Sequence, residues 1–277
     1  MSDVDFAETM EKLADLEDNF LFSFPIDQID QVKMGLIELR PGIGGEEASL
    51  FAAEMRDMYV KGINLIDKHS RVEVQGEQNL TKIRFEGVNL FKLIRFEAGV
   101  HRVQRKSLTD DYDRIHTSTV TVAVLPEIQK ECYLIDPKDL RFESFRSSGP
   151  GGQNANVSNS AVRVTHIPSG ITVVNQEERN NSVNKEKAIK ILQQKLEDSQ
   201  QRSVLDSVST LRKSQVKMAQ RSEKIRTYNE PQNRVTDHDD QNIQYPFRRF
   251  IEGELLEESL RTKRWKIIME LLDNPRR

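Results

Sequence analysis

Apolar residues at helical spacing in FAETMEKLADLEDNFLF, residues 6–22, predict a short helix or helix pair that ends near Pro25. An extended MGLIEL segment follows, then a Gly-rich turn and a long helix from about Glu46, with Glu46 and Glu47 in the first turn where the helix dipole favours them. Alternating positions in RVEVQ and TKIRFEG predict strands, NLFKLI a short helix, and TVTVAVLPE a further strand. The stretch GVHRVQRKSLTDDYDRIHTS is polar, charged and without a period, and reads as a long loop, either functional or disordered. Beyond Asp136-Pro137 a second unit begins with alternating LRFESFRS, a run of small residues, and a β-hairpin in AVRVTHIPSGITVVNQEE turning at Pro168-Ser169-Gly170. From Asn184 to about Arg221 the pattern is helical and longer than most globular helices. RTYNEPQNRVTDH reads as loop or strand, and EGELLEESLRTKRWKIIMELL as an amphipathic helix with Trp265 as a core anchor.

These elements predict an α+β, multidomain chain: an antiparallel-sheet domain and a separate α/β domain with a long helix. The boundaries expected are a short acidic helical segment at 1–32, a first domain at 33–136 plus 222–277, and a second at 137–221. A length of 277 residues agrees with about two domains. The longest apolar runs, ITVV at 171–174 and TVAVL at 121–125, are far short of the ~20 residues that span a bilayer, so no membrane is expected. The acidic N-terminus lacks the basic flank and apolar centre of a secretion signal and the Arg/Ser-rich character of a transit peptide. A single cysteine, Cys132, cannot form an internal disulfide and is expected as a buried small hydrophobe in a reducing, cytoplasmic compartment.

The net charge of -3 conceals an asymmetry. Residues 1–32 hold one lysine against nine acidic residues, whereas residues 138–221 hold fourteen Lys/Arg against eight acidic residues. A basic block in an acidic chain is the footprint of a phosphate-rich partner approached by one domain, although charge alone equally fits a solvated helix face.

Catalytic constellations are scarce. The five histidines, at 69, 101, 116, 166 and 238, form no cluster at metal-ligand spacing, so no metal and no cofactor are expected. Neither a GxSxG elbow nor GxxxxGK[ST] occurs. PGIGGEE could cradle a phosphate at a helix N-terminus, or simply turn the chain. Around residue 151 the pattern is sharper. Gly149, Gly151 and Gly152, with Pro150 between, leave no bulky side chain until the amide of Gln153. Such a tip, flanked by Arg146 and Arg163, suits insertion into a crowded RNA cavity and the offer of backbone N–H groups to a reacting oxygen. It is also compatible with a merely flexible loop.

SSGPGGQNANVSNSAVRVTHIPSGI, NQEERNNSVNKEKAI and SEKIRTYNEPQNRVTDH closely resemble the peptidyl-tRNA hydrolysis domain of class I peptide chain release factors. GIGGEEASLFAAEMRDMY and GVHRVQR with RIHTSTVTVAVLPE are similar to the codon-recognition domain of the bacterial and organellar kind, closest to type 1. The resemblance covers the chain from about residue 33. It implies a translation termination factor that recognises a stop codon in the ribosomal A site and promotes ester hydrolysis only within the ribosomal peptidyl transferase centre. Gly151, Gly152 and Gln153 are then the catalytic loop, with Gln153 also the site of N5-methylation by a glutamine methyltransferase. Arg146 and Arg163 are RNA contacts. The implied partners are the ribosome, with its rRNA, mRNA stop codon and P-site peptidyl-tRNA, and a class II release GTPase. The factor itself is expected as a monomer.

For codon recognition the resemblance implies Gln104, Ser107, Leu108, Thr109, His116 and Thr117, with Gly44, Gly45, Glu46 and Glu47 at the helix tip near the first base. Ser107-Leu108-Thr109 departs from the family's Pro-x-Thr and Ser-Pro-Phe tripeptides, while Gln104 before it and Arg114 to Thr117 after it resemble type 1. The implied codons are UAA and UAG. The family also carries a helical N-terminal domain of about a hundred residues, against some 32 residues ahead of the matching region here. The altered tripeptide and the short head keep open a codon-independent rescue hydrolase acting on stalled ribosomes, and a non-hydrolytic ribosome-binding relative.

Overall fold

The computed structural model describes residues 3–24, 26, 31–77, 80–106, 115–127, 135–147, 158–219, 224–239 and 243–273. Cys132 lies outside them. The chain divides into two compact units: 1–128 with 208–277, and 129–207.

The larger unit contains an eight-stranded sheet. In chain order its strands are β1 (Met34–Pro41), β2 (Arg71–Glu77), β3 (Leu80–Glu86), β4 (Gly99–Lys106) and β5 (Ile115–Pro126). The remaining three are β9 (Lys224–Asn229), β10 (Arg234–Asp237) and β11 (Gln244–Pro246). The spatial order is β11-β10-β9-β4-β5-β1-β3-β2. All neighbours are antiparallel except β4 and β9, which run parallel. Long-range pairing thus sets the C-terminal motif beside β4.

Helix α2 (Glu46–Ile66) buries Ala48, Phe51, Ala52, Met55, Met58, Tyr59, Gly62 and Ile63, a continuous i, i+3, i+4 stripe. The stripe packs on Ile37, Leu39, Ile83, Val103, Val120 and Val122 of the sheet. Each fully buried side chain of this size contributes about 1.5–3 kcal/mol. Helix α1 (Asp3–Ser23), the short helices α3 (Leu90–Ile94) and α5 (Phe247–Ile251), and α6 (Leu256–Asp273) complete this unit. Gly253, at φ 85, lets the turn before α6 press on α2, since a Cβ there would lie 2.7 Å from the Gly62 nitrogen.

The smaller unit has a three-stranded antiparallel sheet in the order β6-β7-β8, from Leu140–Phe145, Ala161–His166 and Thr172–Asn175. Val162, Val164 and Val173 pack on Ala188, Leu192 and Leu196 of α4 (Asn181–Ala219). The expected hairpin closes with the Gly170 N–H donating to the His166 carbonyl at 2.8 Å.

Three readings change. The stretch taken as a loop from 99 to 118 contains β4 and the start of β5, because several buried positions of these strands are polar, among them His101, Arg105 and Ser118, and an apolar period never forms. Trp265 is 40% exposed and lies edge-on to Phe20, ring centroids 5.6 Å apart, so it is no core anchor. The last turns of α4 belong to the larger unit and not, as expected to residue 221, to the smaller. There Arg212 forms two hydrogen bonds to the buried Glu38 carboxylate, at 2.8 and 3.1 Å. Gln215 brackets the Val124 peptide, accepting from its N–H at 3.1 Å and donating to its carbonyl at 3.0 Å. Val124 lies past the point where β4 begins, at Gly99 opposite Val122, so its outward peptide has no strand partner and the glutamine substitutes for one.

Candidate functional site

At one end of the larger unit, β4 and β5 are in antiparallel register with Gln104 opposite Thr117, Arg105 opposite His116 and Lys106 opposite Ile115. Directly opposed residues share a face of the sheet, so Gln104 and Thr117 stand together on one side, and Arg105 and His116 on the other. Residues 107–114 join these strand ends; Ser107, Leu108 and Thr109 lie outside the described residues. Thr117 is exposed and Gln104 half-buried.

A third residue reaches this pair from the parallel strand. Asn229 is in register with Gln104, and its Nδ2 donates to Gln104 Oε1 at 3.4 Å. The Asn229 Oδ1 accepts from the Gln232 N–H at 3.1 Å, while the Glu230 N–H donates to the Gln104 carbonyl at 3.1 Å. In this amide assignment the Gln104 NH2 group remains a donor. Asn229 falls within SEKIRTYNEPQNRVTDH, a motif that assigns it no role of its own. Only the pairing of strands 125 residues apart in sequence reveals it.

The turn between β1 and α2 docks on the same strand. The Gly42 N–H donates to the Thr119 carbonyl at 2.8 Å, the Thr119 N–H to the Ile43 carbonyl at 2.9 Å, and the Ile43 N–H to Thr119 Oγ1 at 3.0 Å. Gly44 has φ 128, and a Cβ there would meet Ser118 Oγ at 2.2 Å. Gly45, the N-cap residue, has φ 58 and open space around it. Ile43 projects into solvent at 80% exposure. Gly44→Ala is expected to cost about 1–3 kcal/mol through backbone strain and this clash, read as a lower urea midpoint. Adding Ser118→Gly should restore only the part due to the clash.

Glu46 is exposed, whereas Glu47 is buried and bound by Arg105 Nε. Arg105 Nη1 also reaches both oxygens of Glu54 at 2.7 Å. Burial works against the arginine's charge, but its hydrogen bonds to Glu54 and Glu47 outweigh it and raise its pKa. The pair bolts the first turns of α2 to β4 next to Gln104. Glu47 therefore sets where the helix tip stands, and of the two adjacent glutamates Glu46 alone faces outward.

In the smaller unit the antiparallel pairing of β6 with β7 ends at Phe145 opposite Ala161, so the connecting segment leaves and returns side by side. Gly151, Gly152 and Gln153 fall on this segment and lie outside the described residues. Arg146, just past β6, is exposed. Arg163 is half-exposed, faces Glu143 across the sheet at 3.4 Å and sits over the Phe145 ring at 5.5 Å. Pairing of this exposed kind is worth at most ~1 kcal/mol, so Arg163 stays available to a phosphate. Among the described residues, no group of three or more His, Cys, Asp or Glu could hold a metal ion, and no helix is long and apolar enough to cross a membrane.

Comparison with known proteins agrees with this layout. Residues 1–122 match the PCRF domain model and residues 127–239 the RF-1 domain model. Peptide chain release factor 1 of Ehrlichia ruminantium (strain Gardel) is 43% identical over 242 residues, 84% of this chain and 67% of that protein. Its namesake from Dictyoglomus thermophilum is 43% identical over 261 residues, 92% of this chain and 71% of its own length. The one from Aquifex aeolicus is 41% identical over 272 residues, 95% and 75% respectively. Among solved structures, RF2 of Thermus thermophilus superposes with a TM-score of 0.53 at 32% identity, over 95% of this chain and 75% of that one.

Proposed function

This chain belongs to the class I peptide chain release factors, type 1, and is a stop-codon-recognising translation termination factor that acts on the ribosome; from that premise we propose which residues read the codon and which promote release. Thr109, with Ser107 and Leu108 as its frame, engages the first two bases, and His116 stacks beside them. The helix tip of Gly44, Gly45 and Glu46 closes on the first uridine, held by the buried Glu47. Gln104 and Thr117 read the third base.

The observation that carries this reading is the register that sets Gln104 opposite Thr117 at the mouth of the hairpin bearing Thr109. With its oxygen accepting from Asn229, Gln104 keeps its NH2 group as the donor for a base. That suits the N7 acceptor common to adenine and guanine, and so supports a purine of either kind in third place; UAA and UAG then follow from Thr109 reading adenine, and not guanine, at the second base.

Release follows in the second unit. Gly151 and Gly152 give the loop a path without Cβ atoms, and the Gln153 N–H stabilises negative charge as water attacks the ester between peptide and tRNA ribose. The Gln153 side chain orders that water, the alcohol leaves as the ribose 3′ hydroxyl, and the ribosome supplies the surrounding groups. Arg146 and Arg163 contact rRNA phosphates on the way in. N5-methylation of Gln153 by a glutamine methyltransferase, recycling by a class II release GTPase, a monomeric state and a cytoplasmic location belong to the same reading.

Codon-by-codon peptide release on programmed ribosomes tests it, with UAA, UAG, UGA, a sense codon and an empty A site. Release at UAA and UAG is expected well above the other three. Equal release on every substrate would replace this reading by the codon-independent rescue role, which the relatives do not favour.

A further inference from the structure

The segment that bears Gln153 is rooted on one side at Ser144-Phe145, the end of β6, and on the other at Asn159-Ser160, just before β7. Two asparagines of the first turn of α4, in the stretch NQEERNNSVNKEKAI, hold these roots. Asn184 is fully buried. Its Nδ2 donates to the Ser160 carbonyl at 2.8 Å and to the Glu178 carbonyl at 2.8 Å, and its Oδ1 accepts from the Glu178 N–H at 2.9 Å. Both amide protons and the oxygen are therefore used, and every partner is main chain. Asn181 lies three residues earlier, and its Nδ2 donates to the Asn159 carbonyl at 2.8 Å and to Ser144 Oγ at 3.2 Å. Residues three apart on a helix share a face, so the two amides act as one clamp across both roots and the turn that precedes the helix.

An apolar side chain of similar size would fill the same space but leave the Ser160 and Glu178 carbonyls and the Glu178 N–H without these partners. What the amide adds is fixed geometry. It recognises the position of peptide groups and transmits the rigidity of a long helix to the ends of a segment that β-sheet pairing has already released. An error of about 1 Å in the placement of a reacting group costs on the order of a hundredfold in rate.

We propose that Asn181 and Asn184 are positioning residues for peptidyl-tRNA hydrolysis: they set the two roots of the Gln153 segment and so where Gln153 is delivered. This rests on the reading that Gln153 promotes release. Neither asparagine touches the ester, and neither contributes to codon choice.

The test is peptide release from UAA-programmed ribosomes as a function of factor concentration, using the full chain and the variants Asn181→Ala, Asn181→Asp and Asn184→Ala, with thermal melting in parallel. Asn181→Asp is the informative variant. It keeps the shape, and its carboxylate in the first turn of a helix favours stability, but it cannot donate to Asn159 or Ser144. The expected result is a maximal release rate lower by about ten- to a hundredfold for both Asn181 variants. The half-saturating concentration, the preference for UAA over a sense codon and the melting temperature should stay unchanged. Asn184→Ala, if folded, should lose rate in the same way. An unchanged maximal rate in Asn181→Asp, or a loss confined to half-saturation, would overturn the proposal. Gln153→Ala measured alongside separates the two readings. If it releases at the parental rate, the hydrolysis reading itself fails; if it is inactive while the Asn181 variants keep their rate, only the clamp fails.

Discussion

Arg226→Met is expected to destabilise the larger unit by about 3–5 kcal/mol, enough to unfold much of the population at 37 °C in a marginally stable protein. Arg226 is fully buried, and its guanidinium meets Glu97 through two bonds of 2.7 and 2.8 Å. It also donates to Asp237 at 2.8 and 3.1 Å and to Ser259 Oγ at 2.9 Å, and its guanidinium carbon lies 4.6 Å from the centre of the Phe250 ring. The Tyr59 hydroxyl donates to the same Glu97 carboxylate at 2.8 Å. The penalty arises less from the bonds lost than from what remains: a carboxylate with no exposure to water that keeps the Tyr59 hydroxyl but has lost its bidentate cation. Urea unfolding at neutral pH measures it. A loss within 1 kcal/mol of the parent would mean that water or another cation reaches Glu97. The double variant Arg226→Met with Glu97→Gln should recover a large part of the loss, because it removes the orphaned charge. Arg226 is three residues before Asn229 on β9, so the network that holds the core also holds the strand that orients Gln104.

The second large effect is acid sensitivity. Burial depresses His101 to a pKa of about 4; the Glu97 carboxylate opposes this and Arg226 adds to it. The imidazole is therefore neutral in the fold, with Nε2–H donating to the Glu97 carbonyl at 3.0 Å and Nδ1 accepting from the Tyr228 hydroxyl at 3.3 Å. The unfolded chain takes up a proton at this histidine near pH 6.5, so between 6.5 and 4 the unfolded state binds more protons and stability falls as pH falls. The integrated loss is about 3 kcal/mol. Glu97 adds to it at lower pH. Burial alone would raise its pKa, but Arg226, His101 and Lys263 bring it down to about 2, so its contribution is present above pH 4.5 and is lost as pH drops towards 2. Urea midpoints from pH 7.5 to 4.5 should show the decline. His101→Gln should flatten it, and an equally steep decline in that variant would assign it to other groups.

Much of this molecule was legible from its residues. The α2 stripe, the β-hairpin of the smaller unit and the long helix follow from periods of 3.6 and 2. The elements that no apolar period reveals share one cause. β4 buries His101 and Arg105 where a strand ordinarily buries aliphatic residues, so its pattern looks polar until Glu97, Tyr228, Glu47 and Glu54 are brought to it from elsewhere. Asn184 reads as an ordinary helix-start asparagine until Ser160 and Glu178 are found at its amide. Glu47 and Glu46 are neighbours of the same type in the sequence, and only Arg105 separates their fates.

Helical and extended periods and turn propensities are properties of short stretches, so the local elements and the residue types available for chemistry follow from the chain read along its length. Which polar residues meet depends on the fold. The alignment of Gln104 with Asn229 and Thr117, the bolt between Arg105 and α2, and the clamp on the roots of the Gln153 segment all join residues distant in the chain. The energy that selects them is the cost of leaving a buried donor, acceptor or charge unpaired, and that cost is defined only once the fold has removed the water.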